Sequence, residues 1–74
     1  MKFCEWLQAR LDERKLRKSD LAKGIGSARS TVTLYLQGER YPEDKFEKAI
    51  VEFLSEGNIA LKTKMILELW EIEK

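Results

Sequence analysis

The stretch KSDLAKGIGSARSTVTLYLQ, residues 18–37, decides the fold. Leu21 and Ile25 stand four apart, so in a helix both point to one side. Ala22 follows Leu21 at a point where a larger side chain would hold a neighbouring helix away. Gly26 comes immediately after Ile25 and takes left-handed backbone without a Cβ penalty, which ends a helix. Val32, Tyr35 and Leu36 then supply a second apolar stripe at helical spacing. Two short amphipathic helices, about 18–25 and about 28–37, therefore meet across a tight turn. Ser27 is the expected N-cap of the second.

The remaining helices are expected on either side of this pair. A first helix over about 2–15 carries Phe3, Cys4, Leu7 and Leu11 on one face, with Trp6 flanking it. Gly38 closes the third helix, and Glu39-Arg40-Tyr41-Pro42 reads as a loop. Pro42 suits the first turn of a fourth helix, where Glu43 and Asp44 complement the positive end of its dipole. Phe46, Ala49, Ile50, Phe53 and Leu54 form that helix's buried stripe. Gly57-Asn58 breaks the chain before a fifth helix over about 59–72. No alternating run or hairpin dipeptide signals a strand. The expected architecture is all-α, five helices in a single domain over 1–74.

Composition fits a folded helical globule: 43% of residues are hydrophobic and 36% charged, with one proline. No apolar run approaches the roughly 18 residues of a membrane span, and no signal-peptide core opens the chain. Cys4 is the sole cysteine, so no internal disulfide forms and a cytoplasmic location is expected. The net charge is only +1, but it is unevenly spread. Residues 1–45 hold ten Lys/Arg against seven Asp/Glu, and residues 46–74 hold four against six. Within residues 10–29 seven basic side chains meet three acidic ones, which marks one end of the chain as the side that meets an anionic partner. The chain has no histidine, Cys4 falls on a core face, and Glu68, Glu71 and Glu73 sit on an exposed helix without signs of burial. Neither an enzyme, a metal site, a cofactor nor a small-molecule substrate is expected.

On the third helix, at about 100° per residue, Tyr35, Leu36 and Ala28 cluster with Val32. Ser30, Thr33, Leu34 and Gln37 face the opposite way, with Arg29 at the N-terminal shoulder. Taken together, Leu21-Ala22, Ile25-Gly26, Arg29-Ser30-Thr31-Val32 and Tyr35-Leu36-Gln37-Gly38, with Arg40-Tyr41-Pro42 following, resemble the lambda-repressor-like helix-turn-helix family. The likeness covers about residues 3–56. It departs from the family at Arg17, where Ser or Thr usually caps the second helix, at Lys18, where Gln is common, and at Ser27, where an apolar residue usually follows the turn glycine. The segment 31–54 is also similar to the DNA-binding domain of phage Mu-type transposition-target ATPases, although no phosphate-binding GxxxxGK[ST] loop is present.

The resemblance implies binding of double-stranded DNA, with the third helix in the major groove. Arg29 is then expected to meet guanine, Gln37 adenine, and Leu34 a thymine methyl, with Ser30 and Thr33 at base edges or phosphates. Phosphate contacts are expected from Lys18 and Arg17 at the second helix's N-terminus, and from Arg40 and Lys45 beyond the third helix. Arg10, Arg14 and Lys15 read instead as helix-surface charges paired with nearby carboxylates. Regulation of transcription is the expected use. DNA recognition for a transposition ATPase, and a protein-interaction module built on the same fold, are the alternatives.

The fifth helix is apolar over most of its circumference: nine of the fourteen residues 59–72 are apolar. A helix of that kind usually buries a second side in a partner. Beyond the residues that carry the likeness, the lambda repressor also has a C-terminal fifth helix that pairs across a dimer, which implies a homodimer through Leu61, Met65, Leu69 and Ile72.

Overall fold

In the computed structural model, which describes residues 1–72, five α-helices follow one another: α1 Phe3–Arg14, α2 Lys18–Ile25, α3 Arg29–Gln37, α4 Asp44–Ser55 and α5 Ile59–Trp70. Glu73, expected on the exposed side of the last helix, lies outside the described residues. No strand forms among the described residues, and none of their helices is long and apolar enough to cross a membrane. The helices pack in the series α1, α3, α2, α4, α5, with α2 in the middle between α3 and α4.

Local chemistry fixes each helix end. The backbone N–H of Lys2 donates to Glu5 Oε1 at 3.2 Å, and that of Arg17 to Asp20 Oδ2 at 2.9 Å. A carboxylate three residues into each helix thus supports its start even though the capping residue is basic. Asn58 caps α5 conventionally, its Oδ1 accepting from the Leu61 N–H at 3.0 Å. Gly26 ends α2 in the left-handed region, at φ 70°, and the Ser27 N–H then returns to the Ala22 carbonyl at 2.9 Å. The first carbonyl of α3 is that of Ala28, which accepts from the Thr31 N–H at 3.1 Å and the Val32 N–H at 3.2 Å. Ala28, not Ser27, is the N-cap of α3, and it makes no side-chain cap. Ala28 is consequently exposed rather than part of the α3 stripe.

Leu7, Leu21, Val32 and Ile50, one from each of the first four helices, are completely buried, and Met65 from α5 joins them at 1% exposure. Trp6 and Tyr35 complete the largest part of this single core. Trp6 is more buried than the half-buried Cys4, which reverses their expected ranks on α1. α4 begins at Asp44, so Pro42 lies before the helix as a buried loop residue rather than in its first turn. Val51 and Ser55 are buried with Ile50 and Leu54, whereas Phe46, Ala49 and Phe53 are only partly so. The Ser55 hydroxyl is satisfied by donating to the Glu52 carbonyl at 3.2 Å.

The outward and inward faces of α5 are the reverse of those expected. Met65, Leu69 and Ile72 are buried in the chain's own core, and Leu61 packs against it, so these four do not form a surface for a second copy. Ile59 and Trp70 are instead 79% exposed, Leu67 55% and Ile66 37%. The physical reason is polar. Glu68 sits beside the inward face and accepts from the Trp6 indole N–H at 3.3 Å and from the Arg10 guanidinium at 3.5 Å. Turning the helix over would leave that buried indole N–H without a partner, at a cost of about 1–3 kcal/mol. Glu68 is accordingly half-buried, not the free surface carboxylate its sequence neighbourhood suggests.

Candidate functional site

The residues of interest converge where the N-terminus of α2 meets α1 and α3. There Arg17, Lys18 and Arg29 line one open recess of about 600 Å³, together with Gln8, Ser19 and Thr33 and an apolar floor of Leu11, Leu16 and Leu36. Each cation arrives for a local reason. Arg17 and Lys18 are the N-cap and first residue of α2, and Arg29 is the first residue of α3. The close packing of α2 on α3 brings those two helix starts together. Both starts add the partial positive charge of unsatisfied backbone N–H groups.

Three of the chain's cations are held in ion pairs elsewhere. Arg10 pairs with Glu13 at 2.6 Å and Glu68 at 3.5 Å, Arg14 with Glu13 at 3.5 Å, and Lys62 with Glu52 at 2.5 Å. Among the described residues Arg17, Lys18 and Arg29 make no ion pair, and all three are exposed. Arg10 and Arg14 are thus paired, Arg10 with the distant Glu68 as well as its neighbour Glu13, whereas Lys15, expected to pair likewise, is in no ion pair among the described residues. The recess gathers three unpaired cations, with the Asp20 carboxylate held on the Arg17 N–H beside them. Three fixed like charges with helix N-termini behind them attract an anion.

On α3, Arg29, Ser30, Leu34 and Gln37 are exposed along one side. Leu34 is an apolar group in water, at 37% exposure. Thr33 is half-buried, and its hydroxyl donates to the Arg29 carbonyl at 3.0 Å, so only its lone pairs face outward. The structure does not bring Arg40 and Lys45 to the recess. Arg40 lines a separate hollow of about 330 Å³ with Lys2 and Tyr41, and the Lys45 ammonium lies 5.2 Å from the centre of the Phe46 ring. The loop that carries Arg40 is pinned by the Tyr41 hydroxyl, which donates to Glu47 Oε2 at 2.8 Å. Burial first, then the Glu47 carboxylate, pushes the Tyr41 phenol well above its ordinary range.

Gln8 and Ser19 were not legible as site residues. Gln8 lies on α1 away from residues 18–37, and its amide donates to Asp12 Oδ1 at 2.9 Å. Only the packing of α1 across α3 brings it to the recess. Ser19 follows Lys18 directly and its neighbourhood was the available signal. Among the described residues no group of three or more His, Cys, Asp or Glu is placed to hold a metal ion. Comparison with protein-family models, with curated proteins and with solved structures finds no match for this chain.

Proposed function

We propose that this chain is a lambda-repressor-like helix-turn-helix domain that binds double-stranded DNA as a homodimeric regulator of transcription. α2 and α3 are the helix-turn-helix, and α3 is the helix that enters the major groove. The observation that carries the reading is the recess of Arg17, Lys18 and Arg29, unpaired beside an α3 whose outer side is free of the chain's other helices. Arg17 and Lys18 hold a backbone phosphate there. Arg29, one residue into α3, reads guanine through its fork of N–H donors, and Gln37 reads adenine. Ser30, Thr33 and Leu34 fill the space between them.

The test is a salt titration of binding to random-sequence duplex. With about four phosphate contacts the slope of log K against log salt is about −4, so affinity falls by roughly 200-fold between 50 and 200 mM. Lys18→Ala removes one of the two contacts in each copy of the dimer, so the slope falls by about two units and affinity by about 60-fold at 0.1 M salt. Arg10→Ala, whose charge is already compensated, leaves the slope unchanged. A flat salt profile, or equal losses from Lys18→Ala and Arg10→Ala, refutes DNA binding through this recess.

Leu34 favours a second reading, a protein-interaction module on the same fold. An apolar side chain exposed in the middle of α3 also suits an apolar partner surface. In that case Leu34→Lys abolishes partner binding, whereas duplex binding through phosphates would be strengthened by the added charge.

A further inference from the structure

We infer that Ser19 is a phosphoacceptor whose phosphoryl group, once attached, fills the recess of Arg17, Lys18 and Arg29 and closes it to other anions. The modification and its capture stand on the recess itself, and the consequence for duplex rests on the DNA reading above. Ser19 is exposed in the first turn of α2, lines the recess, and its hydroxyl has no hydrogen-bond partner among the described residues. The five residues before it, Arg14-Lys15-Leu16-Arg17-Lys18, include four cations. No other serine or threonine of the chain has more than one cation among its five preceding residues, so this hydroxyl alone is approached through a basic run.

The approach is open as well as basic. Residues 15–17 lie between α1 and α2, outside both helices. Lys15, Arg17 and Lys18 are exposed and in no ion pair among the described residues. A serine kinase with an acidic groove takes up such a stretch by charge complementarity, and fraying of the first turn of α2 presents the hydroxyl. In the transfer, Ser19 Oγ attacks the γ-phosphorus of the kinase's ATP. The bond from that phosphorus to the bridging oxygen breaks, ADP leaves, and the hydroxyl proton passes to the kinase's base.

The product meets both conditions under which an attached phosphate is held in place, a helix N-terminus behind it and a cluster of cations around it. Arg29 reaches the same recess from α3, so the captured group ties the starts of α2 and α3 together. The Asp20 carboxylate, held on the Arg17 N–H at 2.9 Å, is the opposing charge. With it counted, a phosphate dianion takes the corner from +2 to about zero. A recess so neutralised no longer holds a backbone phosphate of DNA.

The test incubates the full chain with magnesium ATP and the catalytic subunit of a serine kinase that prefers basic residues before its target. We expect one phosphate per chain, located at Ser19 by tandem mass spectrometry, and none on a Ser19→Ala chain with unchanged circular dichroism. By phosphorus NMR the attached group titrates about one pH unit below the value of about 6 for free phosphoserine, and Arg29→Ala reverses part of that shift. Duplex affinity at 0.1 M salt falls by more than about 1,000-fold, with the salt slope moving from about −4 towards zero. No transfer to the folded chain, transfer to Ser27 or Ser30 in place of Ser19, or a titration midpoint at or above about 6 overturns the inference. The mass and phosphorus measurements involve no duplex, so an unmodified chain that fails to bind duplex sinks the DNA reading alone. A captured phosphate that leaves duplex affinity unchanged likewise removes DNA from this recess and leaves the modification standing.

Discussion

Gly24→Ala reverses the sign that helix propensity assigns to it. Gly24 lies inside α2 and is exposed, and Ala at such a position ordinarily stabilises a helix by about 1 kcal/mol. In this molecule, however, an added Cβ falls 2.3 Å from Cδ1 and 2.4 Å from Cε1 of Phe53 on α4. Carbon atoms rest about 3.5–4.0 Å apart, so the ring has to retreat by more than 1 Å or α2 has to lift away from α4. Overpacking of this kind costs about 1–3 kcal/mol. Retreat also returns part of the half-buried Phe53 ring to water. The net expectation is a loss of about 1 kcal/mol, seen as a fall of about 4–8 °C in the thermal midpoint followed by circular dichroism. In a Phe53→Ala background the obstruction is gone, and the same substitution raises the midpoint. The refuting result is a Gly24→Ala substitution that stabilises the wild-type chain as much as it stabilises the Phe53→Ala variant. That result would mean α2 is not held against α4 as described.

Three further outcomes are expected. Leu69→Ala destabilises by about 2–5 kcal/mol in urea denaturation, whereas Leu67→Ala changes stability by less than about 0.5 kcal/mol, because Leu69 is 2% exposed and Leu67 55%. Equal effects would contradict the orientation of α5. Lys15 ends α1 in the left-handed region at φ 55°, so Lys15→Gly raises stability by about 0.5–1 kcal/mol in the same assay. Tyr41 has its proton held more tightly folded than unfolded, so its contribution is complete below the ordinary value of 10.0 and fades as pH rises beyond it. Tyr41→Phe lowers stability at pH 7 through loss of the Glu47 hydrogen bond and flattens the decline measured above pH 10.

The five-helix order was legible because its signals are local. Gly26 and Gly38 stand where α2 and α3 end, and the apolar spacing in residues 18–37 marks both helices without reference to the rest of the chain. Errors arose where two local signals competed or where a distant group decided. Ser27 is a better N-cap by side chain than Ala28, yet the first carbonyl of α3, accepting from the Thr31 and Val32 N–H groups, is that of Ala28. Pro42 and the acidic pair after it suit a helix start, but the helix begins at Asp44 and Pro42 is buried in the loop before it. The faces of α5 are nearly equal in apolar content, so periodicity alone does not choose between them. The choice is made by Glu68 reaching Trp6 across sixty-two residues of sequence. The same holds for the recess. Arg17, Lys18, Arg29 and Thr33 were readable from residues 17–33, but Gln8 joins them only through tertiary packing, and Arg40 and Lys45 are drawn elsewhere by the loop after α3.

Arg14 has a consequence for how the chain comes apart. Its Nε donates to the Leu54 carbonyl at 3.0 Å, so a guanidinium from α1 finishes the last turn of α4, a helix with no basic residue of its own there. Fraying at the end of α4 therefore costs this charge-assisted bond, about 1.5–3 kcal/mol, and α1 cannot lift without uncovering a carbonyl. Amide protons in that final turn should exchange with solvent only when the whole chain opens, giving the first and fourth helices a single protection limit despite the forty residues between the bonded pair.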